Sequence, residues 1–168
     1  MRPMVLLALG TGIRRGDLLK LRWRDVDEKS SSIWVGGDSG VETKGGRGYR
    51  VEIGGIARLG LEEARAWLQL SGKPTRPDDW VIDWRSRERV QWLFIREYRA
   101  VREAAELDSS LVFHCLRHAY GTWALAHGEN LMNVKEWMGH ANIMTTQKYL
   151  HALPRGRELT DTVNPMDE

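Results

Sequence analysis

His114-Cys115-Leu116-Arg117-His118 is followed by Met138-Gly139-His140 and, nine residues on, by Tyr149. Between these groups the apolar residues recur at helical spacing, with Gly128 and Gly139 as breaks. The pattern predicts three helices, over 116–127, 132–138 and 143–150. Leu116, Leu125, Val134 and Trp137 are the expected core positions on them. The side chains left over are types that act on phosphate esters. An arginine fork donates two parallel hydrogen bonds and stays charged at any working pH. A phenol, with a reference pKa near ~10, ionises far more readily than an alcohol, so modest electrostatic help makes it a nucleophile.

Two upstream segments supply what such chemistry further needs, namely a second cationic donor and an acid for a leaving oxygen. Thr11-Gly12-Ile13-Arg14-Arg15-Gly16-Asp17 sets an arginine where a helix starts after a glycine turn. Thr43-Lys44-Gly45-Gly46 sets a lysine at an expected hairpin tip. Taken singly, each has a plainer reading. Arg14 would be a surface arginine, Lys44 a lysine blunting a strand end, and Tyr149 a packing residue with a bonded hydroxyl.

The elements joining these segments are mostly helical. Residues 4–9 form an apolar helix after Pro3, ended by the glycines at 10 and 12, and a second short helix runs from Asp17 to about Trp23. Residues 26–30 read as a turn. The runs 32–35, 41–44 and 50–53 read as three strands of a small antiparallel sheet. Leu59, Leu61, Ala64, Trp67 and Leu68 line one face of a helix ending near Gly72. Ser86 can cap a long helix reaching about Leu107. The expected fold is therefore mainly α with a small antiparallel β-sheet near the N-terminus.

With the segments assembled, the chain resembles the tyrosine recombinase family, the phage-integrase type. The resemblance rests on six elements in family order: Thr11-Gly12 with Arg14, Asp17, Thr43-Lys44, His114 with Arg117, Gly139-His140, and Tyr149. It implies the recombinase catalytic-domain fold over 1–153, a C-terminal tail over 154–168, and a start that lies after the family's upstream DNA-clamping domain. It implies that Tyr149 attacks a phosphodiester of double-stranded DNA and forms a 3′-phosphotyrosyl link. Arg14 and Arg117 would clamp the phosphate, and Lys44 would protonate the departing 5′ oxygen. His114 and His140 would bind the phosphate and assist proton traffic, with Asp17 and His118 in support. Bond energy is conserved in such a link, so neither ATP nor a metal is implied. A homo-tetramer on DNA is implied for a full-length enzyme, and a monomer for the isolated chain. The family more often carries glutamate where Asp17 stands.

Two other readings use the same residues. A type IB topoisomerase has a similar tyrosine and arginine set, but the glycine-histidine pair and its short spacing to Tyr149 favour a recombinase. A DNA-binding remnant or regulator of recombination would occupy sites without cutting, yet would have no need of so costly a cation cluster. A metal site at His114, Cys115, His118 and His140 is disfavoured, because adjacent helix positions point apart and the zinc-protease glutamate is missing. His118 is expected to be a buried helper, Cys115 an inert core residue, and His127 and His151 surface residues.

Bulk properties agree with a single domain. With 168 residues, 42% hydrophobic and 29% charged, the chain can bury a core. No apolar run approaches the roughly 20 residues of a membrane span, and a single cysteine, Cys115, can make no internal disulfide, as suits the cytoplasm. Arg96, Arg99 and Arg102 belong to a basic stretch that fits either a nucleic-acid surface or a solvated helix face.

Overall fold

The computed structural model describes residues 1–36, 48–83 and 90–150, with side chains placed throughout except at 90–92. Lys44 and the expected strand 41–44, the Ser86 cap, His151 and the tail at 154–168 lie outside the described residues.

Helix α1 (Arg2–Thr11) buries Met4, Leu7, Ala8 and Thr11, a repeat of three and four that makes one apolar stripe. It runs through Gly10, where the sequence suggested a break. The true stop is Gly12, in the left-handed conformation at φ 65°, whose N–H donates to the Ala8 carbonyl. Helix α2 (Arg15–Leu18) is a single turn, and a 3-10 turn at Trp23–Asp25 follows it. The helix expected to reach Trp23 therefore stops early.

The sheet has order β1-β2-β3 and is antiparallel throughout. Its strands are β1 (Val26–Asp27), β2 (Ser32–Val35) and β3 (Tyr49–Glu52). Val26 pairs with Ile33, and Val35 with Tyr49. The expected turn at 26–30 thus begins with a strand. Asp27 ends it, its carboxylate accepting from the backbone N–H groups of Lys29 and Ser30.

Helix α3 (Gly55–Leu70) lays Ala57, Gly60, Leu61, Ala64 and Leu68 on α1. Leu59 and Trp67, expected on that face, are 41% and 48% exposed. The buried stripe is narrower than the hydrophobic pattern because small residues, Gly10 and Gly60, bring the two helices close together. Helix α4 (Val90–Ala104) packs Phe94 edge-on against Phe113, ring centroids 4.8 Å apart. It ends before Leu107, where Glu106 turns to positive φ.

The C-terminal helices are α5 (His114–Ala126), α6 (Leu131–Trp137) and α7 (Ile143–Gln147). Asn130 and Asn142 cap α6 and α7 by accepting from the N–H groups of Met132 and Met144. Ala124, Leu125, Val134, Met138 and Tyr149 form a second small core. Leu125 and Val134 are buried as expected, whereas Leu116 and Trp137 are only partly so. Among the described residues no helix is long and apolar enough to cross a membrane.

The contact between α1 and α3 is the tightest test of this packing. A Cβ added at Gly10 would lie 2.5 Å from the backbone N of Ala57, which cannot rotate away. Gly10→Ala is expected to destabilise the fold by about 1–3 kcal/mol, despite alanine's better helix propensity. Thermal denaturation should show Tm falling by several degrees, and an unchanged or higher Tm would refute the packing.

Candidate active site

The ends of four helices converge on one place. Arg14 is the N-cap of α2, His114 opens α5, His140 follows α6, and Tyr149 sits in the turn after α7. Arg117 lies one turn into α5 and is 3% exposed. Its guanidinium donates from Nη1 to the Gly12 carbonyl and from Nη2 to the Met138 carbonyl. Gly12 is itself placed by Thr11, whose hydroxyl accepts from the Ile13 N–H and donates to the Leu7 carbonyl.

Arg14 donates from Nη2 to the Gly139 carbonyl at 2.9 Å. Its Nη1 stands 3.9 Å from Asp17 Oδ2, too far for a hydrogen bond. Both of those atoms are buried without a hydrogen-bond partner among the described residues. Burial pushes the Asp17 carboxyl above its ordinary pKa, and Arg14, Lys20 and Arg117 pull it back. The neighbouring Arg15 instead lies over the Phe94 ring at 5.3 Å, while Arg14 bonds into the cluster.

His140 is 7% exposed, and its Nδ1 shares a 2.8 Å hydrogen bond with the buried Thr146 hydroxyl. Burial, then the charges of Arg117 and Arg14, hold its pKa down to about 4. The ring is parallel to that of Tyr149, centroids 6.1 Å apart. Tyr149 is buried, which raises its phenol above the usual value against the pull of Arg117 and Arg14. His118 meets Tyr149 at 5.4 Å and His114 edge-on at 4.7 Å. Both pKa values are lowered, first by desolvation; His118 and the arginines add to the effect at His114, and Arg117 at His118.

Of the residues singled out in the sequence, Arg14, Asp17, His114, Arg117, His118, His140 and Tyr149 are thus brought together. His118 departs from expectation in being exposed, because its α5 face looks outward beside His114 rather than into the core. Cys115 is half-buried rather than core, since the α5 N-terminus lies at the surface. His127 is exposed and stacks on Trp123, as a surface residue would. Among the described residues no group of three or more His, Cys, Asp or Glu is disposed to hold a metal ion.

The sequence reading missed Tyr49 and Thr146. Thr146 carries no signal beyond lying on α7 below Tyr149. Tyr49 has an indirect one in Gly139, which takes φ 60° and would, with a Cβ, collide with the Tyr49 ring at 2.4 Å.

Residues 1–155 match the family model described as the phage integrase family. Among curated proteins, the chain is 30% identical over 157 residues to tyrosine recombinase XerA of Thermococcus onnurineus (strain NA1), covering 88% of this chain and 49% of that protein. It is also 30% identical over 151 residues to tyrosine recombinase XerC of Yersinia pestis, covering 89% and 47%. The chain spans about half the length of these relatives. Among solved structures, XerA recombinase superposes with a TM-score of 0.68 at 27% identity, covering 90% of this chain and 53% of that one. The catalytic domain of bacteriophage HP1 integrase gives 0.60 at 22% identity, covering 98% and 82%, a likeness of fold.

The buried histidine makes the site sensitive to acid. Unfolded, His140 titrates near 6.5; folded, near 4. Between those values the unfolded chain binds more protons, so stability contributed by neutral His140 is full above 6.5 and is lost as pH falls toward 4. An NMR titration should place the His140 midpoint near 4, and His140→Gln should flatten the loss of Tm across that window. A midpoint near 6.5 would contradict the burial described.

Proposed function

The chain belongs to the phage integrase family, and from that premise we propose that it is the strand-transferring catalytic unit of a site-specific DNA recombinase. Double-stranded DNA is its substrate. The Tyr149 hydroxyl oxygen attacks the scissile phosphorus, the bond to the 5′ oxygen breaks, and a 3′-phosphotyrosyl link forms. Lys44 supplies the proton that the departing 5′ oxygen takes up. The phenol proton passes to the histidine cluster. Religation runs the same steps backward, with a 5′ hydroxyl as nucleophile and Tyr149 as leaving group. In a full-length enzyme the unit acts within a homo-tetramer on DNA.

The observation that supports this reading best is the convergence of Arg14 and Arg117 beside Tyr149, each held by a backbone carbonyl. Carbonyl anchors fix the guanidinium planes without neutralising them, so their charge is kept for a phosphate. Preorganised donors of this kind are worth most where charge develops in the transition state. Asp17 balances part of the positive charge. The neutral histidines can accept a proton, which protonated ones could not.

Covalent attachment is the direct test. Incubated with a pool of nicked duplexes of randomised sequence, the chain should form an adduct that survives denaturing electrophoresis. Tyr149→Phe should abolish it while leaving the fold intact; an undiminished adduct in that variant would sink the assignment of the nucleophile.

The arginines are tested on a duplex recovered from that adduct. Lysine at position 14 or 117 keeps the charge but loses the fork, and should slow adduct formation by roughly 10²–10³-fold. Arg15→Lys should change the rate little. If Arg15 proved essential and Arg14 dispensable, the clamp would be misassigned by one residue.

A further inference from the structure

Tyr49 is the first residue of β3 and lies within electrostatic reach of both arginines. Its ring lies against Gly139, so close that only a glycine fits there. The Gly139 carbonyl anchors Arg14, and the preceding carbonyl, of Met138, anchors Arg117. One aromatic ring therefore backs the two peptide groups on which the clamp hangs. The Tyr49 hydroxyl is buried and has no hydrogen-bond partner among the described residues. Burial raises the Tyr49 phenol above its usual pKa, and the Arg117 guanidinium beside it is the strongest influence the other way. An unpaired buried hydroxyl costs stability, so it calls for an explanation other than folding.

We propose that Tyr49 is a positioning residue for strand transfer, its ring pinning the backbone of Met138 and Gly139 and its hydroxyl steering the Arg117 guanidinium as phosphate binds. The inference rests on the recombinase reading above and adds a residue to it. In the empty site Arg117 spends two N–H groups on carbonyls. When a phosphate draws the guanidinium, the hydroxyl is the polar atom placed to accept from it on the buried side. Being buried, the Tyr49 oxygen does not touch DNA, so it acts through Arg117.

This division of labour separates rate from stability and from binding. Tyr49→Phe keeps the ring against Gly139 and removes only the hydroxyl. Its Tm should be unchanged or slightly higher, because an unpaired buried group is gone. Its affinity for the recovered duplex should stay within about twofold, since most binding comes from phosphate contacts elsewhere. The single-turnover rate of adduct formation should fall about tenfold, the loss of one hydrogen bond made in the transition state. Tyr49→Leu, which also loses the ring, should lower both Tm and rate. A Tyr49→Phe rate equal to wild type would overturn the proposal. So would a rate loss matched by a lower Tm, which would make Tyr49 merely structural. If the wild-type chain forms no adduct with the pool, the recombinase reading itself fails, a result distinct from either.

Discussion

Everything at this site depends on a buried cation. Arg117 is nearly inaccessible, and moving a charge out of water costs several kcal/mol unless polar partners surround it. The chain meets that cost with the carbonyls of Gly12, at the end of α1, and Met138, at the end of α6. Burial and the neighbouring Arg14 both push the Arg117 pKa below its ordinary value, with Tyr49 and Tyr149 opposing. Arg117 thereby bridges the two hydrophobic clusters, one around α1, the sheet and α3 and the other between α5, α6 and Tyr149, alongside the Arg14 bond to Gly139 and the Tyr49 contact with it. Helix termini are where backbone carbonyls lack intrahelical partners, so they are the natural anchors for such a group.

The same constraint leaves Arg14 Nη1 and Asp17 Oδ2 unpaired among the described residues. Among those residues Arg14 and Arg117 both act on the Asp17 carboxylate, and Arg14 approaches it at 3.9 Å. An ion pair that falls short of a hydrogen bond gains Coulomb energy but leaves donor and acceptor atoms unpaired. A monoanion entering between the guanidinium groups would remove that deficit.

How much of this was legible in the sequence follows from where each residue sits. Whereas His114 and Tyr149 were legible from their spacing to Arg117 and His140, Arg14 and His140 lie at element ends beside glycine stops, and those stops are local features that a sequence displays. The helices α5, α6 and α7 were legible for the same reason. Strand β1 was not, since two residues cannot show a period. Leu59 and Trp67 misled because periodicity marks an apolar face but not its width, which the glycine contacts of α1 and α3 decide. Tyr49 itself gave no signal, because its contact with Gly139 is made across the fold and its only trace is the glycine at the far end. The exposure of His118 likewise depends on which side of α5 the second core covers.

The protonation states carry the last step. Burial holds the Tyr149 phenol protonated, and the same desolvation, with the arginine charges, keeps the histidines neutral. A phosphate would neutralise part of the arginine charge, and so weaken the one influence that favours the phenolate. Under the proposed reaction, prior ionisation of Tyr149 is thus disfavoured with phosphate bound. The same anion raises histidine pKa values, because it stabilises their protonated form. Proton acceptance by the imidazoles therefore improves just when the phenol most needs a base. Under the proposed reaction, the proton leaves Tyr149 as its oxygen bonds to phosphorus, not before. On that reading, reactivity is withheld until DNA is in place.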